Sequence, residues 1–286
     1  MPELPEVETL KRELDKLLSS LVISEVQVLW PKSVFPLSPI SFSKKIVEQK
    51  ILKLERRAKM LIIRLASEDN IIFHLKMTGQ LIFVPKEGRM VSGGHPTSDV
   101  QTPGRHTRII FSLNDGSHLY FNDLRKFGWA RLTNENDLKD ISAKVGPEPL
   151  SKDFDSKFLI DLFHKHPNNT IKKILLDQTL IAGIGNIYAD ESCFLAHLRP
   201  DRKIKTLTDK EVTELQKQIV AVLKLSIKHK GTSSKNYRRS NGELGGFVPY
   251  LYVYGRKNQP CKKCGEKILK IKHAGRGTHY CPTCQE

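Results

Sequence analysis

The chain has 286 residues, 47 Lys plus Arg against 31 Asp plus Glu for a net charge of +16, and 39% hydrophobic residues. That length suits one large or two ordinary domains, each able to bury its own core. The N-terminus lacks a basic stretch leading into an apolar one, and no run approaches the roughly 18 apolar residues of a membrane helix, which argues against a secretory signal and a membrane span. The positive excess is uneven, with 25 basic and 13 acidic side chains over residues 151–286 but 22 and 18 over residues 1–150. Such asymmetry favours a polyanionic partner, most simply nucleic acid, over a merely soluble basic protein.

The chain opens Met1-Pro2-Glu3-Leu4-Pro5-Glu6. Removal of Met1 would leave the Pro2 nitrogen as a secondary amine beside the Glu3 carboxylate. A terminal amine has a pKa of about 8 against about 10.4 for lysine, so more of it is unprotonated and nucleophilic at neutral pH. The iminium it forms with an aldehydic carbon has no N–H to lose and stays a cationic electron sink. The plainer reading is that Pro2-Glu3 only introduces a helix, since proline suits a first turn. Leu4, Val7, Leu10, Leu14 and Leu17/Leu18 recur at helical spacing behind it, so the N-terminus sits on an amphipathic helix.

From about 22 to 133 the pattern turns to β. Short apolar runs (Val22–Trp30, Met60–Leu65, Ile71–Leu75, Gln80–Val84, Arg108–Leu113, Leu119–Asn122, Trp129–Leu132) predict strands of a sandwich or flattened barrel. Asn114-Asp115-Gly116 predicts a hairpin turn, and Pro85–Gly104 a long mobile loop. Gly146-Pro147-Glu148-Pro149 reads as a linker. Beyond it, Phe154–His164, Ile171–Leu176 and Asn186–His197 read as short helices. Thr208 with Glu211 forms a capping box for a helix that ends near Lys230, with Gly231 as its stop. Residues 231–247 read as a flexible loop and Tyr250–Tyr254 as a strand entering the cysteines.

Four of the five cysteines form the pattern Cys261-x2-Cys264-x16-Cys281-x2-Cys284. Each pair can chelate one side of a tetrahedral Zn²⁺, and the span between fits a hairpin. With no further ligand to leave a position open, the site reads as structural. Its hairpin would project Arg276 at the Ala274-Gly275-Arg276-Gly277 tip, suited to phosphate or simply a solvated turn. Cys193, alone in an apolar stretch, reads as a small buried hydrophobe. Gly183-Ile184-Gly185-Asn186 permits a tight turn into a helix whose first amides suit a phosphate, though an ordinary helix corner would look the same.

Taken together, Met1–Thr9, Arg56-Arg57-Ala58-Lys59, His74-Leu75-Lys76-Met77-Thr78-Gly79, Asp123-Leu124-Arg125-Lys126-Phe127-Gly128, Gly183–Glu191 and the cysteine ribbon occur in the order seen in bacterial formamidopyrimidine-DNA glycosylases. The chain resembles that family from residue 2 to residue 285. The resemblance implies an α+β multidomain protein. Residues 1–148 would form a leading helix and β-sandwich carrying catalysis. Residues 149–247 would form a helical DNA-binding domain with a helix–two-turn–helix element and a lesion-reading loop, and residues 248–286 a zinc-ribbon hairpin. It also implies a bifunctional enzyme of base excision repair that removes 8-oxoguanine and formamidopyrimidines from duplex DNA and then cuts the backbone. Pro2 would be the nucleophile on C1′, Glu3 the general acid/base, and Lys59 a third catalytic residue that neutralises phosphate near the lesion and supports Glu3. Elimination at the 3′ and then the 5′ phosphate would need neither a redox cofactor nor a catalytic metal, leaving one structural Zn²⁺.

The nucleotide must leave the stack to be reached. Met77, Arg125 and Phe127 match the family residues that fill the hole, with Arg125 able to bond the orphaned cytosine. Read without the family, Met77 and Phe127 would be core residues and Arg125 half of a solvated pair with Lys126. The resemblance carries phosphate contacts to His74, Asn186, Tyr188 and Arg276, places Lys172 near the everted base, and sets Lys235 in the lesion-reading loop. Two departures stand out: Lys76 occupies a position often held by glycine, and residues 85–107 form a longer insert than usual. The implied partner is damaged double-stranded DNA, met by a monomer in the bacterial cytoplasm. An enzyme resembling endonuclease VIII, acting on oxidised pyrimidines, is disfavoured by Leu4, Pro5 and Arg125-Lys126-Phe127. A non-catalytic zinc-ribbon DNA-binding protein would leave Pro2, Glu3 and Lys59 unexplained.

Overall fold

The computed structural model describes residues 1–87, 91–94, 102–232 and 246–286, with side chains for all of these except 91–94. Two compact units emerge, Met1–Ala143 with His229–Val248, and Lys144–Lys228 with Pro249–Glu286. The division differs from the expected 1–148, 149–247 and 248–286. The base of the 231–247 segment joins the first unit, and the ribbon joins the helices.

The first unit begins with α1 (Leu4–Leu18), whose Leu4, Val7, Leu10, Leu14 and Leu18 are all buried. There follow β1 (Ile23–Val28), a 3-10 turn at Pro31–Val34, and α2 (Pro39–Ile46), whose Ser38 cap accepts the Ser41 N–H. The strands continue as β2 (Ile51–Arg57), β3 (Met60–Leu65), β4 (Asn70–His74), β5 (Gly79–Val84), β6 (Val91–Gly94), β7 (Thr107–Leu113), β8 (His118–Asp123) and β9 (Trp129–Thr133), and α3 (Glu135–Ala143) closes the run. They form two antiparallel sheets, ordered β1-β7-β8-β5-β6 and β2-β3-β4-β9. Inward residues of both sheets and α1 make one core, where Phe73 meets Phe111 and Phe121 edge-on with ring centroids 5.9 and 5.7 Å apart. Met60, Ile62 and Ile72 point the other way and are covered by Leu138 of α3. Burial on both faces explains why β3 and β4 read as continuous apolar runs instead of alternating ones.

The predicted hairpin turn joins β7 to β8, with Gly116 at φ +83°. Within Pro85–Gly104 the loop expectation is corrected in part, because Val91–Gly94 pairs with β5 as an edge strand. Residues 88–90 and 95–101 of that segment lie outside the described residues. A strand containing Gly93-Gly94 gives no β signal.

The second unit contains α4 (Ser156–His164), α5 (Ile171–Leu176), α6 (Asn186–Leu195) and α7 (Asp209–Lys228), then the hairpin β10 (Leu269–His273) and β11 (Arg276–Tyr280). The Thr208/Glu211 capping box is present, Thr208 N donating to Glu211 Oε2 at 2.7 Å and Glu211 N to Thr208 Oγ1 at 3.3 Å. The strand expected at Tyr250–Tyr254 does not form. The amides of Tyr252, Val253 and Tyr254 all donate to the buried Glu191 carboxylate of α6, at 2.8, 2.9 and 2.8 Å. One carboxylate takes the donors a neighbouring strand would have used. Among the described residues no helix is long and apolar enough to cross a membrane.

Candidate active site and nucleic-acid interface

Pro2 and Glu3 lie at the head of α1, both buried, behind an exposed Met1. Glu3 is the N-cap of the helix, and Glu6 completes a capping box by accepting the Glu3 N–H at 3.0 Å. The other Glu6 oxygen accepts from Thr232 N at 2.8 Å and Thr232 Oγ1 at 2.9 Å. Gly231, at φ +82°, passes so close that an added Cβ would lie 3.0 Å from Glu6 Oε1. Thr232 pairs with Gly246, and Phe247 N donates to Gly231 O at 3.1 Å. One carboxylate therefore holds both the N-terminal segment and the stem of the 231–247 segment. Glu6 is an anchor of the candidate site that the sequence alone did not single out, although Glu3-x-x-Glu6 before an apolar run is the signal of a capping box.

Lys59 is buried at the β2–β3 turn, where Ala58 takes φ +54° to reverse the chain in two residues. His74 ends β4. Burial, reinforced by the Lys76 and Lys59 ammonium groups, lowers its pKa to about 3. Its Nδ1 accepts the Lys76 N–H at 3.0 Å, which leaves the proton of the neutral ring on Nε2. His74 is thus a fixed neutral donor beside lysines, an arrangement suited to an anion. Lys76 adopts φ +49°, a left-handed backbone that glycine would take without strain.

Met77 and Phe127 are 38% and 53% exposed, so the core reading for them fails. Arg125 and Lys126 are exposed as well, but each guanidinium or ammonium lies over an aromatic face. Arg125 Cζ is 4.6 Å from the Phe127 centroid, and Lys126 Nζ is 4.0 Å from that of Trp30. Large apolar groups on exposed turns, each flanked by a cation, suit insertion among stacked bases.

In the second unit, Asn186 opens α6 after Gly185, and its Nδ2 donates to Gly277 O at 3.0 Å while Oδ1 is buried without a partner. Arg276 is exposed beside the turn in which Ala274 and Gly275 have φ +49° and +69°. Two expectations need correction. Tyr188 is buried, with its hydroxyl 2.5 Å from Ser226 Oγ, so its side chain packs α6 on α7 and presents no hydroxyl to a phosphate. Lys172 is fully buried, and its ammonium donates to Asp190 at 2.5 Å, Thr278 Oγ1 at 2.8 Å and Gly277 O at 3.3 Å. It fastens the hairpin to α5 and α6, and does not face an everted base. Lys235 lies outside the described residues.

The four cysteine sulfurs lie within 4.8 Å of one another, Cys261 to Cys284 at 3.9 Å and Cys264 to Cys281 at 3.5 Å. Tetrahedral Zn–S bonds of about 2.3 Å require sulfurs about 3.8 Å apart, so this donor set fits one zinc ion. Gly265, at φ +80°, turns the first knuckle, and Lys263 N donates to Cys261 Sγ at 3.4 Å. Bound there, the ion supplies cross-linking of the two knuckles. Cys193 is buried as expected, and its pKa is raised beyond the usual thiol range by burial.

A helix-led β-sandwich unit and a helical unit closed by a four-cysteine hairpin together define a class of zinc-ribbon protein. Residues 1–130 match the formamidopyrimidine-DNA glycosylase N-terminal domain, residues 145–238 the H2TH domain of that enzyme, and residues 258–286 the zinc finger found in FPG and IleRS. The chain is 42% identical over 290 residues to the formamidopyrimidine-DNA glycosylase of Pelotomaculum thermopropionicum, covering 100% of this chain and 99% of that one. It is 39% identical to that of Geobacillus kaustophilus, covering 100% of both. A Lactococcus lactis FPG variant, solved with DNA containing Fapy-dG, superposes with a TM-score of 0.88 at 33% identity, covering 100% of both chains. The chain belongs to the formamidopyrimidine-DNA glycosylase family.

Proposed function

We propose that this protein excises oxidised purines, 8-oxoguanine and formamidopyrimidines, from duplex DNA and then cleaves the sugar–phosphate backbone. The observation that carries the proposal is Pro2-Glu3 at the head of a buried, doubly anchored helix. Removal of Met1 makes the Pro2 nitrogen an amine. That nitrogen forms a bond to C1′ while the C1′–N bond to the damaged base breaks, and its proton passes to the departing base. Glu3 protonates the sugar ring oxygen as the C1′–O bond breaks and the nitrogen lone pair closes the iminium. The resulting iminium acidifies the C2′ proton. Loss of that proton expels the 3′ phosphate, and a second elimination expels the 5′ phosphate. Lys59 and His74 offer a cation and a neutral N–H donor to the phosphates near the lesion, and Asn186 and Arg276 offer further donors in the second unit. Met77, Arg125 and Phe127 fill the space of the everted nucleotide. The same proposal includes a monomer acting in the bacterial cytoplasm.

The test uses processed protein and a duplex with one 8-oxoguanine opposite cytosine. The expected products carry phosphate at both ends of a one-nucleotide gap, and Pro2→Gly keeps duplex binding while losing most strand cleavage. Equal turnover by Met1-retaining and Met1-free protein would overturn the proposal, because an amide nitrogen cannot attack C1′.

A further inference from the structure

The side chains assigned to the vacated stack sit on two separate turns, Met77 after β4 and Arg125 with Phe127 after β8. Strand pairing ends at Gly79 opposite Asp123, so the ladder alone does not fix one turn against the other. A single carboxylate does. Asp123 is 1% exposed. Its Oδ1 accepts from the Thr78 hydroxyl and from Arg125 N at 3.2 Å, and its Oδ2 accepts from Gly128 N at 2.6 Å. The Thr78 oxygen in turn accepts Arg125 N at 3.0 Å. Both turns are therefore tied to one anion, the first through the residue after Met77, the second through residues on either side of Phe127.

The surroundings hold that anion in place. Arg108 Nε donates to the Asp123 carbonyl at 2.8 Å. The Arg108 carbonyl accepts from Leu29 N at 2.8 Å and Trp30 N at 3.2 Å, and the Trp30 ring lies beneath the Lys126 ammonium. Gly128 approaches so closely that a Cβ would meet Phe121 Cζ at 2.8 Å and Asp123 Oδ2 at 3.1 Å. A buried carboxylate is costly unless hydrogen-bonded, and charge-assisted bonds fix geometry more tightly than apolar contact. Apolar packing would hold these turns together without setting their register.

We propose that Asp123 is a positioning residue for reading the base opposite the lesion, locking Met77, Arg125 and Phe127 into one register so that they enter the duplex as a unit. The inference rests on the reading of those three side chains given above. It predicts a defect in opposite-base selectivity, which a general loss of stability would not produce.

The experiment compares kcat and KM of the full-length processed protein on 8-oxoguanine opposite cytosine and opposite adenine, and on an abasic site in single-stranded DNA. Thr78→Val removes the hydroxyl and keeps the shape. It is expected to raise KM and lower the cytosine-over-adenine ratio of kcat/KM about 10-fold, the scale of one hydrogen bond to a charged group. Elimination on the single strand, which has no opposite base, should be retained. Thr78→Ser restores the hydroxyl and should recover the ratio to within roughly twofold. Asp123→Asn sets an NH₂ against Gly128 N–H or Thr78 and should lower the ratio at least as far. Arg125→Ala separates the two levels. If it lowers the ratio while Thr78→Val and Asp123→Asn leave it unchanged, the positioning inference is wrong and the reading of the wedge stands. If Arg125→Ala also leaves the ratio unchanged, both are wrong.

Discussion

Replacing Lys172 with methionine tests most sharply how the second unit is held together. Lys172 and Asp190 are both 0% exposed, and their ion pair spans 2.5 Å. Methionine keeps the volume and removes the charge. Asp190 would keep only the His279 contacts, the backbone N–H at 2.9 Å and Nδ1 at 3.3 Å, while Thr278 Oγ1 and Gly277 O would lose a donor. An uncompensated buried carboxylate of this kind costs about 3–5 kcal/mol. Against a typical domain stability of about 5–15 kcal/mol, that is a large fraction. Lys172→Met/Asp190→Leu should recover part of the loss, since no buried charge remains, but His279 N and Thr278 Oγ1 stay unsatisfied at about 1–3 kcal/mol each. The assay is urea denaturation followed by circular dichroism, with duplex affinity measured over a range of salt. Lys172 makes no outward contact here, so the slope of log affinity against log salt should be unchanged in whatever fraction remains folded. A stability loss below about 1 kcal/mol, with a slope reduced by about 1, would show that Lys172 contacts DNA and is not an internal tie.

Three further outcomes are expected. His74, with a pKa lowered to about 3 from 6.5, is neutral in the fold and takes up a proton on unfolding. Its contribution therefore makes stability fall as pH drops below 6.5 and continue falling to about 3, and His74→Asn, which keeps an acceptor for Lys76 N, should flatten that part of the melting-temperature profile. An unchanged profile would mean that His74 binds its proton equally well in the folded and unfolded chain. Lys76→Gly relieves a left-handed backbone worth about 1–2 kcal/mol against a glycine entropy of about 0.5–1 kcal/mol, so thermal melting should show a net gain of about 0–1.5 kcal/mol. A clear loss would mean the Lys76 side chain stabilises the turn more than its backbone strains it. Chelation of zinc should unfold the ribbon and weaken duplex binding, with metal content and affinity falling together. Unchanged affinity of metal-free protein would remove the ribbon from DNA recognition.

What could be read from the sequence was what is local. The α1 stripe, the Asn114–Gly116 turn and the Thr208/Glu211 box depend on close neighbours in the chain, the cysteine pairs on a spacing within some two dozen residues, and all are present. What could not be read depends on partners far along the chain. Tyr250–Tyr254 has the composition of a strand, but Glu191, some sixty residues earlier, takes its amides. Lys172 and Tyr188 carry the polar groups of DNA ligands, and only the fold reveals Asp190 and Ser226 facing them. Asp123 opens the Asp123–Gly128 segment, yet its bonds to Thr78 and Gly128 have no sequence signature. The exposure of Met77 and Phe127 likewise emerges only from the turns they occupy.

Attack of the Pro2 nitrogen on C1′ can be caught by borohydride reduction of the iminium. Met1-free protein should be reduced onto a duplex containing 8-oxoguanine, and mass spectrometry of the digested adduct should place the sugar on residue 2. A sugar attached to Lys59 or another lysine, or no adduct from protein that still cleaves the strand, would mean that Pro2 is not the nucleophile.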